Sequence, residues 1–539
     1  MAQSTVTDAN DSQHEAQLPT IAAAFLVDFD NRKGYTLAWQ RSVDDVKLDG
    51  VVEFKSLPSG LHNVNEDLVA FLKRDDEAAS RNARMLAVGV LIPVEAGRMG
   101  KSWLYAQQLK DLASTLLDNP SKYAPLEGFW EKHKHTEAST QDSPIDGHMF
   151  EGYQKLRTLS TGTLSTPTRT LPAHHPALAL PELLSTFGPL IFPLFKAALL
   201  HKRILILGEA PVEQACNHVY NISILSSISK SVGAHIPCYD PSKSRLRSLF
   251  NIGISDISTL EAMETPWIAC TTDDVLCSKP SLFDMLVILP NSSSLQTSGN
   301  KKYPKLIIST PELSKTFPRH GLLASQRDAR RYSALKRNLH KLPSGASPGG
   351  PNFHGSDEDA RSETSTVSTV LDKREAVEPL PWTVIAYNSL IWWASAGDRR
   401  SGLLEAEELA NEQDEEMMRD CQAEEATTME VTMVAYFHKL STMIFSVLNN
   451  AVRRHNHGHY HDDEDEDDGH NEEDQRLLAS KNSNNDDVVE ITEEDVRAMG
   501  LDIWSQHDKH FIAEILDFWW KRKAAVSGGV IECCGIRVL

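Results

Sequence analysis

The stretch from Arg203 to Ile228 limits the available folds more than any other part of this chain. RILILG, Arg203 to Gly208, is an apolar run of strand length. APVEQACNHVYNISILSSI then places Val212, Ala215, Cys216, Val219 and Ile222 on one helical face, with Pro211 suited to the first turn. A strand, a tight turn and an amphipathic helix in that order bury their apolar surface when further strands join alongside, so a layered α/β core is expected. Runs at Trp267 to Cys270, Met285 to Leu289 and Lys305 to Ser309 supply those strands and predict a largely parallel sheet. Their spacing leaves the strand order open.

A second, separate pattern precedes this one. From Ile21 the short runs IAAAFLVDF, YTLAW and VVEF alternate with turn-formers such as Asn31 and Gly34, and read as strands of a small sheet. MLAVGVLIPV, Met85 to Val94, is continuously apolar, as a strand buried on both faces must be. Tyr105, Leu109, Leu112 and Leu116 then form one helical stripe. With 539 residues the chain exceeds what one core organises. The pattern divides it into a first lobe at 21–129, a linker at 131–173 rich in Ser, Thr, His and Pro, and a central lobe at 180–310. A mostly disordered insertion at 311–373 and a helical portion at 374–539 follow.

That last portion is read as helical at Pro381 to Ala396, at Thr428 to Val452 and from Ile491 to Lys523, interrupted by a disordered acidic and His-rich loop at about 455–488. Thr492 with Asp495, and Ser505 with Asp508, carry the spacing of helix N-terminal caps. Phe511, Ile515, Phe518 and Trp519, broadened by Ile512, Leu516 and Trp520, predict a helix buried rather than solvated.

The net charge of −21 owes ten carboxylates to the run from Asp462 to Asp474 alone, and no basic face stands out against it. A nucleic-acid partner, which needs clustered Lys and Arg, is not expected. Seven scattered cysteines without a C-x-x-C pair suit a reducing compartment. The N-terminus lacks a signal-peptide pattern, and Leu190 to Leu200 and Thr383 to Ala396 are too short or interrupted to span a bilayer. A cytoplasmic location without a transmembrane segment is expected.

Several stretches imitate sites. GRMGKS, Gly97 to Ser102, follows a strand and opens a helix, but Glu95 stands where a phosphate-binding loop needs its first glycine. LGEAP offers one glycine, Gly208, beside an anionic Glu209, which suits an ordinary turn better than a dinucleotide. His455, His457, His459 and His461 adjoin the acidic run with no apolar framework to fix metal geometry. Cys533 and Cys534 near Lys521, Arg522 and Lys523 fit a palmitoylation site or two plain thiols, and Ile536 excludes a prenylation box. Ser143 and Thr166, each followed by proline, are candidate phosphorylation sites. No cofactor, metal or catalytic residue is expected.

Three blocks stand out in order: AAAFLVDFDNRKGYTLAWQ with GVVEFKSLPSGLHNV, then HKRILILGEAPVEQACNHVYNISILSSI with PCYDPSKSRLRSLFNIGISDI and PWIACTTDDVLCSKPSLFDMLVILP, and finally MGLDIWSQHDKHFIAEILDFWW with ECCGIRVL. Together they resemble the DENN domain family, in its LCHN-like branch. The resemblance implies a longin-like N-terminal α/β lobe, a central DENN α/β lobe and a helical C-terminal portion with long disordered insertions. It also implies guanine-nucleotide exchange on a Rab-type small GTPase in membrane traffic, with peripheral association at vesicle or endomembrane surfaces. The alternative is a scaffold that binds a GTPase or vesicle protein without exchange. Candidate partner contacts are Asp240, Lys243, Arg245 and Arg247 in one loop and Asp273 and Asp274 in another, each of which fits a helix cap or a structural ion pair equally well.

Overall fold

The computed structural model describes residues 18–30, 34–43, 65–75, 83–93, 102–119, 122–134, 174–210, 212–241, 244–290, 302–309, 321–342, 376–379, 402–422, 428–461 and 488–527, with a few isolated positions besides. It divides into two compact units, Met1–His175 and Pro176–Leu539.

The first unit is built on β1 (Ala23–Asp30), β2 (Gly34–Ser42), β3 (Asn65–Asp75) and β4 (Ala83–Pro93). Among the described residues these form an antiparallel sheet in the order β2-β1-β4-β3. Ala24 and Leu26 of β1 and Val88 and Val90 of β4 point into one core, while Ala23, Phe25, Ala87 and Leu91 point into another. Both faces are thus covered, which explains the unbroken apolar run in β4. Gly89 lies directly opposite Phe25 across the ladder, and a Cβ there would enter the Phe25 ring. Helix α1 (Ala106–Asp118) lays Leu109, Ala113 and Leu116 on the first core, preceded by buried Tyr105. Leu112, expected on the same stripe, is only partly buried. Helix α2 (Ala124–His133) adds Leu126, Phe129 and Trp130, and its Glu127 accepts hydrogen bonds from Trp39 Nε1 at 3.0 Å and Arg41 Nη2 at 2.6 Å. VVEF and Gly97 to Lys101 lie outside the described residues.

The second unit starts with α3 (Leu180–Phe187) and α4 (Ile191–Leu199), and every residue of α4 is buried. β5 (Ile204–Leu207), α5 (Glu213–Leu225), β6 (Arg247–Asn251), β7 (Trp267–Thr271), β8 (Met285–Ile288) and β9 (Lys305–Ile308) follow. Among the described residues the sheet order is β6-β7-β5-β8-β9, with β6, β7, β5 and β8 parallel and β9 antiparallel at the edge. Ala215, Val219 and Ile222 of α5 are buried as their spacing predicts, whereas Cys216 is half-buried. The fold is therefore mixed α/β, with the expected parallel sheet closed by one antiparallel strand.

Helices complete this unit: α6 (Gln326–Leu339), which forms inside the stretch 311–373 expected to be mostly disordered and is fixed there by its Ser325–Asp328 cap and its buried Leu335 and Leu339, then α7 (Gly402–Gln422), α8 (Met429–His461), α9 (Glu493–Ala498) and α10 (Gln506–Trp520). β10 (Val488–Ile491) and β11 (Lys523–Val526) pair in parallel beside them. Helix α8 continues to His461, so the four histidines expected in an irregular tract lie on its last turns. An extending helix needs no apolar partner for each turn once it is nucleated. The acidic run and most of Pro381 to Ala396 lie outside the described residues. Phe511, Ile512, Ile515, Leu516, Trp519 and Trp520 of α10 are all buried. Two helical stretches, Pro176–Leu199 and Met429–Asn456, are long and apolar enough by composition to cross a bilayer, a length the sequence reading did not see. Most of each is packed inside the unit, which is how a core helix of a globular protein meets the same criterion.

Candidate functional site

Because four neighbouring strands of the second unit are parallel, their carboxyl ends share one edge of the sheet. Loops leaving that edge are where open α/β sheets place their contact residues. Here the loops are pinned by the backbone. Gly208 N donates to Thr271 O at 3.0 Å, Ile252 N donates to Cys270 O at 2.8 Å, and Thr271 Oγ1 donates to Ile252 O at 2.8 Å. Asp273 N donates to Thr271 Oγ1 at 3.1 Å, and Gly253 N donates to the buried Asp256 carboxylate at 2.8 Å. The edge exposes two large apolar side chains, Ile254 and Val275, about half accessible at 53% and 49%. Asp274 beside Val275 is exposed and Asp273 is partly so.

The six residues singled out in the sequence do not form one group. Asp273 and Asp274 stand on the carboxyl edge, at the start of a short helix, Asp274–Cys277. Asp273 occupies the cap position there, but its side chain accepts no capping hydrogen bond. Arg247, expected in a loop, is the first residue of β6 and sits opposite Trp267 at the amino edge. Asp240 and Arg245 lie in the connection that enters β6, and Lys243 lies outside the described residues. With ~3.3 Å per residue, the strand between the edges separates the two groups by roughly 13 Å.

A polar junction that the sequence reading missed lies deeper in the same unit. Lys196 on α4 is buried and donates to Asp328 Oδ2 at 2.8 Å and Asp508 Oδ1 at 2.6 Å. Both carboxylates sit three residues into a helix. Asp328 N donates to Ser325 Oγ at 3.1 Å, Asp508 N donates to Ser505 Oγ at 3.4 Å, and Asp508 Oδ2 also accepts from Asp502 N at 2.8 Å. Two helix N-termini, each favouring an anion, thus converge on one lysine. Burial alone would pull the Lys196 ammonium down, but the two carboxylates outweigh it and hold it above its ordinary range.

A second knot lies on α6 and α7. Asp414 accepts from Arg327 Nη1 at 2.5 Å and Arg331 Nε at 3.2 Å, all three side chains being nearly inaccessible. Arg331 also stacks on the Phe192 ring at 5.7 Å. Gly500, at φ +66°, leaves room for its guanidinium.

Beside Lys196 opens a cavity of about 70 Å³ lined by Asp328, His507, Asp508, Phe511 and Glu514. That is room for ~5 water molecules and far below the volume a nucleotide needs. Glu378 Oε1 approaches His507 Nε2 at 3.3 Å nearby. Burial, reinforced by Asp508, pushes Glu378 up to about 7, and burial pushes His507 down to about 4. Between about pH 4 and pH 7 the pair therefore has the geometry of a salt bridge but the protonation of a neutral hydrogen bond.

Ser227 Oγ lies 2.9 Å from His438 Nε2, which suggests a nucleophile and base until the third partner is counted. The same Nε2 lies 3.0 Å from Ile224 O, a carbonyl that can only accept, so this nitrogen carries the proton and cannot take one from the serine. Among the described residues no group of three or more His, Cys, Asp or Glu side chains is arranged to hold a metal ion. The junction and the knot are architecture. The surface suited to contact is the carboxyl edge.

Residues 24–299, which contain β1 to β8, match the family of DENN domain-containing protein 11. The chain belongs to that family. Residues 377–539 match a domain of unknown function. DENN domain-containing protein 11 of Xenopus laevis is 30% identical, over 58% of this chain and 68% of its own length. The Danio rerio protein of the same name is also 30% identical, over 58% of this chain and 61% of its own. An uncharacterized protein of Saccharomyces cerevisiae is 24% identical over 96% of this chain and 94% of its own. Both matched regions therefore recur together in one relative. In the structure they are joined at Lys196, which lies in the first region and shares its charge with Asp508 of the second.

Proposed function

We propose that this DENN-family chain is a guanine-nucleotide exchange factor for a Rab-type small GTPase in membrane traffic, acting from the cytoplasm and peripherally at endomembrane surfaces. The observation that carries the reading is the family match across residues 24–299, since DENN proteins generally act with Rab GTPases. On this reading the first unit is the longin-like lobe, and its sheet with α1 and α2 supports that assignment. The second unit supplies the central DENN lobe.

Exchange asks for no bond to be made or broken. The chain needs only to bind the empty GTPase better than the loaded one, and by reciprocity nucleotide is then weakened by the same factor. Each ~1.4 kcal/mol of such preference loosens nucleotide about tenfold. The carboxyl edge suits this role because Ile254 and Val275 offer apolar contact next to the Asp273 and Asp274 carboxylates on a backbone that is already fixed.

The test is the rate of release of fluorescent GDP from each member of a Rab panel with and without the full chain. Acceleration for at least one Rab, reduced by Val275→Asp and Ile254→Asp, is expected. No acceleration across the panel would refute exchange. Binding of equal strength to loaded and empty GTPase would make the chain a scaffold instead.

A further inference from the structure

Two thiols meet in the core of the parallel sheet. Cys216 Sγ on α5 lies 3.6 Å from Cys270 Sγ on β7, with neither in a disulfide. The two residues are 54 positions apart in sequence and are brought together by the stacking of α5 against β7. They differ in access. Cys270 is wholly enclosed, whereas Cys216 is half-buried and reachable from outside. Burial and the neighbouring sulfur raise the Cys270 thiol well above its ordinary range, which keeps it protonated and inert toward dissolved oxidants.

We propose that Cys216 and Cys270 are a modification site, a thiol pair that hydrogen peroxide converts into an intramolecular disulfide linking α5 to β7. In the first step the Cys216 sulfur attacks one peroxide oxygen and the O–O bond breaks. The departing hydroxide takes up a proton as water, and Cys216 is left as a sulfenic acid. In the second step the Cys270 sulfur attacks the Cys216 sulfur and the S–O bond breaks. The hydroxide released takes the Cys270 proton, giving a second water. Two thiols and one peroxide become one disulfide and two waters, with two electrons passing from sulfur to oxygen. Closing the gap from 3.6 Å to the ~2.05 Å of a disulfide asks for about 1.5 Å of movement. Rotation about the Cys216 and Cys270 side-chain bonds supplies motion of that size.

The raised Cys270 thiol slows the second step, because little of it is thiolate at any moment. Contact offsets this, since the attacking sulfur never has to diffuse to its target. The exposed Cys238 has no such neighbour among the described cysteines and would stop at sulfenic acid or progress to higher oxides. Cys216 lies in the first turn of α5, the helix that follows the turn at Gly208, and Cys270 immediately precedes Thr271, whose hydroxyl holds the Asp273 loop. The cross-link would therefore stiffen the carboxyl edge from beneath.

The full-length protein carrying Cys277→Ser, so that the peptide containing Cys270 holds one cysteine, is exposed to hydrogen peroxide. Remaining thiols are blocked, and tryptic peptides are mapped by mass spectrometry. The expected dominant cross-link joins the Cys216 and Cys270 peptides, disappears on treatment with dithiothreitol, and is accompanied by slower amide exchange in α5 and β7. Recovery of Cys216 as sulfinic acid with Cys270 still a free thiol would overturn the proposal. So would a dominant cross-link between any other two cysteines, or full retention of both thiols when Cys238 is already oxidised. Cys216 and Cys270 both keep their native side chains in this protein, so the result does not depend on replacing either member of the pair.

Discussion

Replacing Asp414 by Asn tests whether ions or apolar packing hold α7 in place. Of the residues of α7 from Glu408 to Cys421, only Asp414, Met417 and Met418 are buried, and the remainder is half-buried or exposed. Burying two methionines contributes roughly 3–6 kcal/mol. Asp414 neutralises both Arg327 and Arg331, which are 5% and 1% exposed, so the amide would leave two enclosed cations facing a neutral group. Breaking a buried pair from one side costs about 3–5 kcal/mol. The lower end applies here, because Asp328 also lies within electrostatic reach of Arg331. A loss of ~3 kcal/mol, about a third to a half of what these described contacts supply, should raise local opening of α7 by roughly a hundredfold. Hydrogen exchange followed by mass spectrometry on residues 402–422 of the full chain reads this directly, with β7 as the internal reference. An apolar replacement of all three residues, Asp414→Leu with Arg327→Met and Arg331→Met, should recover most of the protection, since no uncompensated charge remains. A change of less than about threefold in Asp414→Asn would show that the methionines, and not the ion knot, anchor the helix.

Glu378 predicts a stability that falls as pH rises. Its folded value of about 7 lies above the ordinary 4.5, so the proton it binds favours the folded form below about 4.5 and that contribution is lost as pH passes through 7. The difference between the folded and ordinary values corresponds to about 3 kcal/mol. Urea unfolding at about pH 5 and about pH 8 should show this loss in the parent chain and not in Glu378→Gln, and parallel slopes would refute it. Lys196→Met and Lys202→Met separate buried from exposed pairing. The first strands two enclosed carboxylates and should cost about 3–5 kcal/mol, while the second removes a pair that is a quarter to a third accessible and should cost less than ~1 kcal/mol in the same unfolding assay. Equal costs would contradict the assignment of Lys196 to the core.

Elements with one strong period were legible. β1, β4, β5, β7 and β8, the buried stripe of α10, and the caps at Thr492 and Ser505 follow from residue pattern alone. β6 was hidden because its register shifts between Ser248 and Phe250, and Phe250 takes a left-handed conformation that disturbs the alternation. β3 was hidden between charged flanks, Glu66 and Asp67 at one end and Lys73 to Asp75 at the other. The junction left one trace, the lone cation in IFPLFKAAL. An ammonium in a run with no other polar group requires an anion inside the fold. Nothing local names that anion, because Asp328 and Asp508 are 132 and 312 residues away. The split of Arg247 from Asp273 was equally out of reach, since which end of a strand a loop leaves from depends on strand direction within the sheet.

The same distances argue against treating residues 377–539 as an appendage. Phe437 of α8 packs on Phe192 at 5.7 Å and on Phe195 at 5.1 Å, and Trp519 Nε1 donates to Leu199 O at 3.2 Å. Cutting the chain after 376 would uncover those two phenylalanines, at roughly 3–6 kcal/mol. It would also remove one of the two anions from Lys196, for about 3–5 kcal/mol more. The sum, ~6–11 kcal/mol, is comparable with the ~5–15 kcal/mol that holds a whole domain together. A chain ending at 376 should therefore lose the cooperative unfolding of the second unit, while the sheet of the first unit, which shares none of these contacts, keeps its amide protection. A truncated chain whose β5 and β7 amides exchange as slowly as in the full protein would show that the parallel sheet stands without its helical portion.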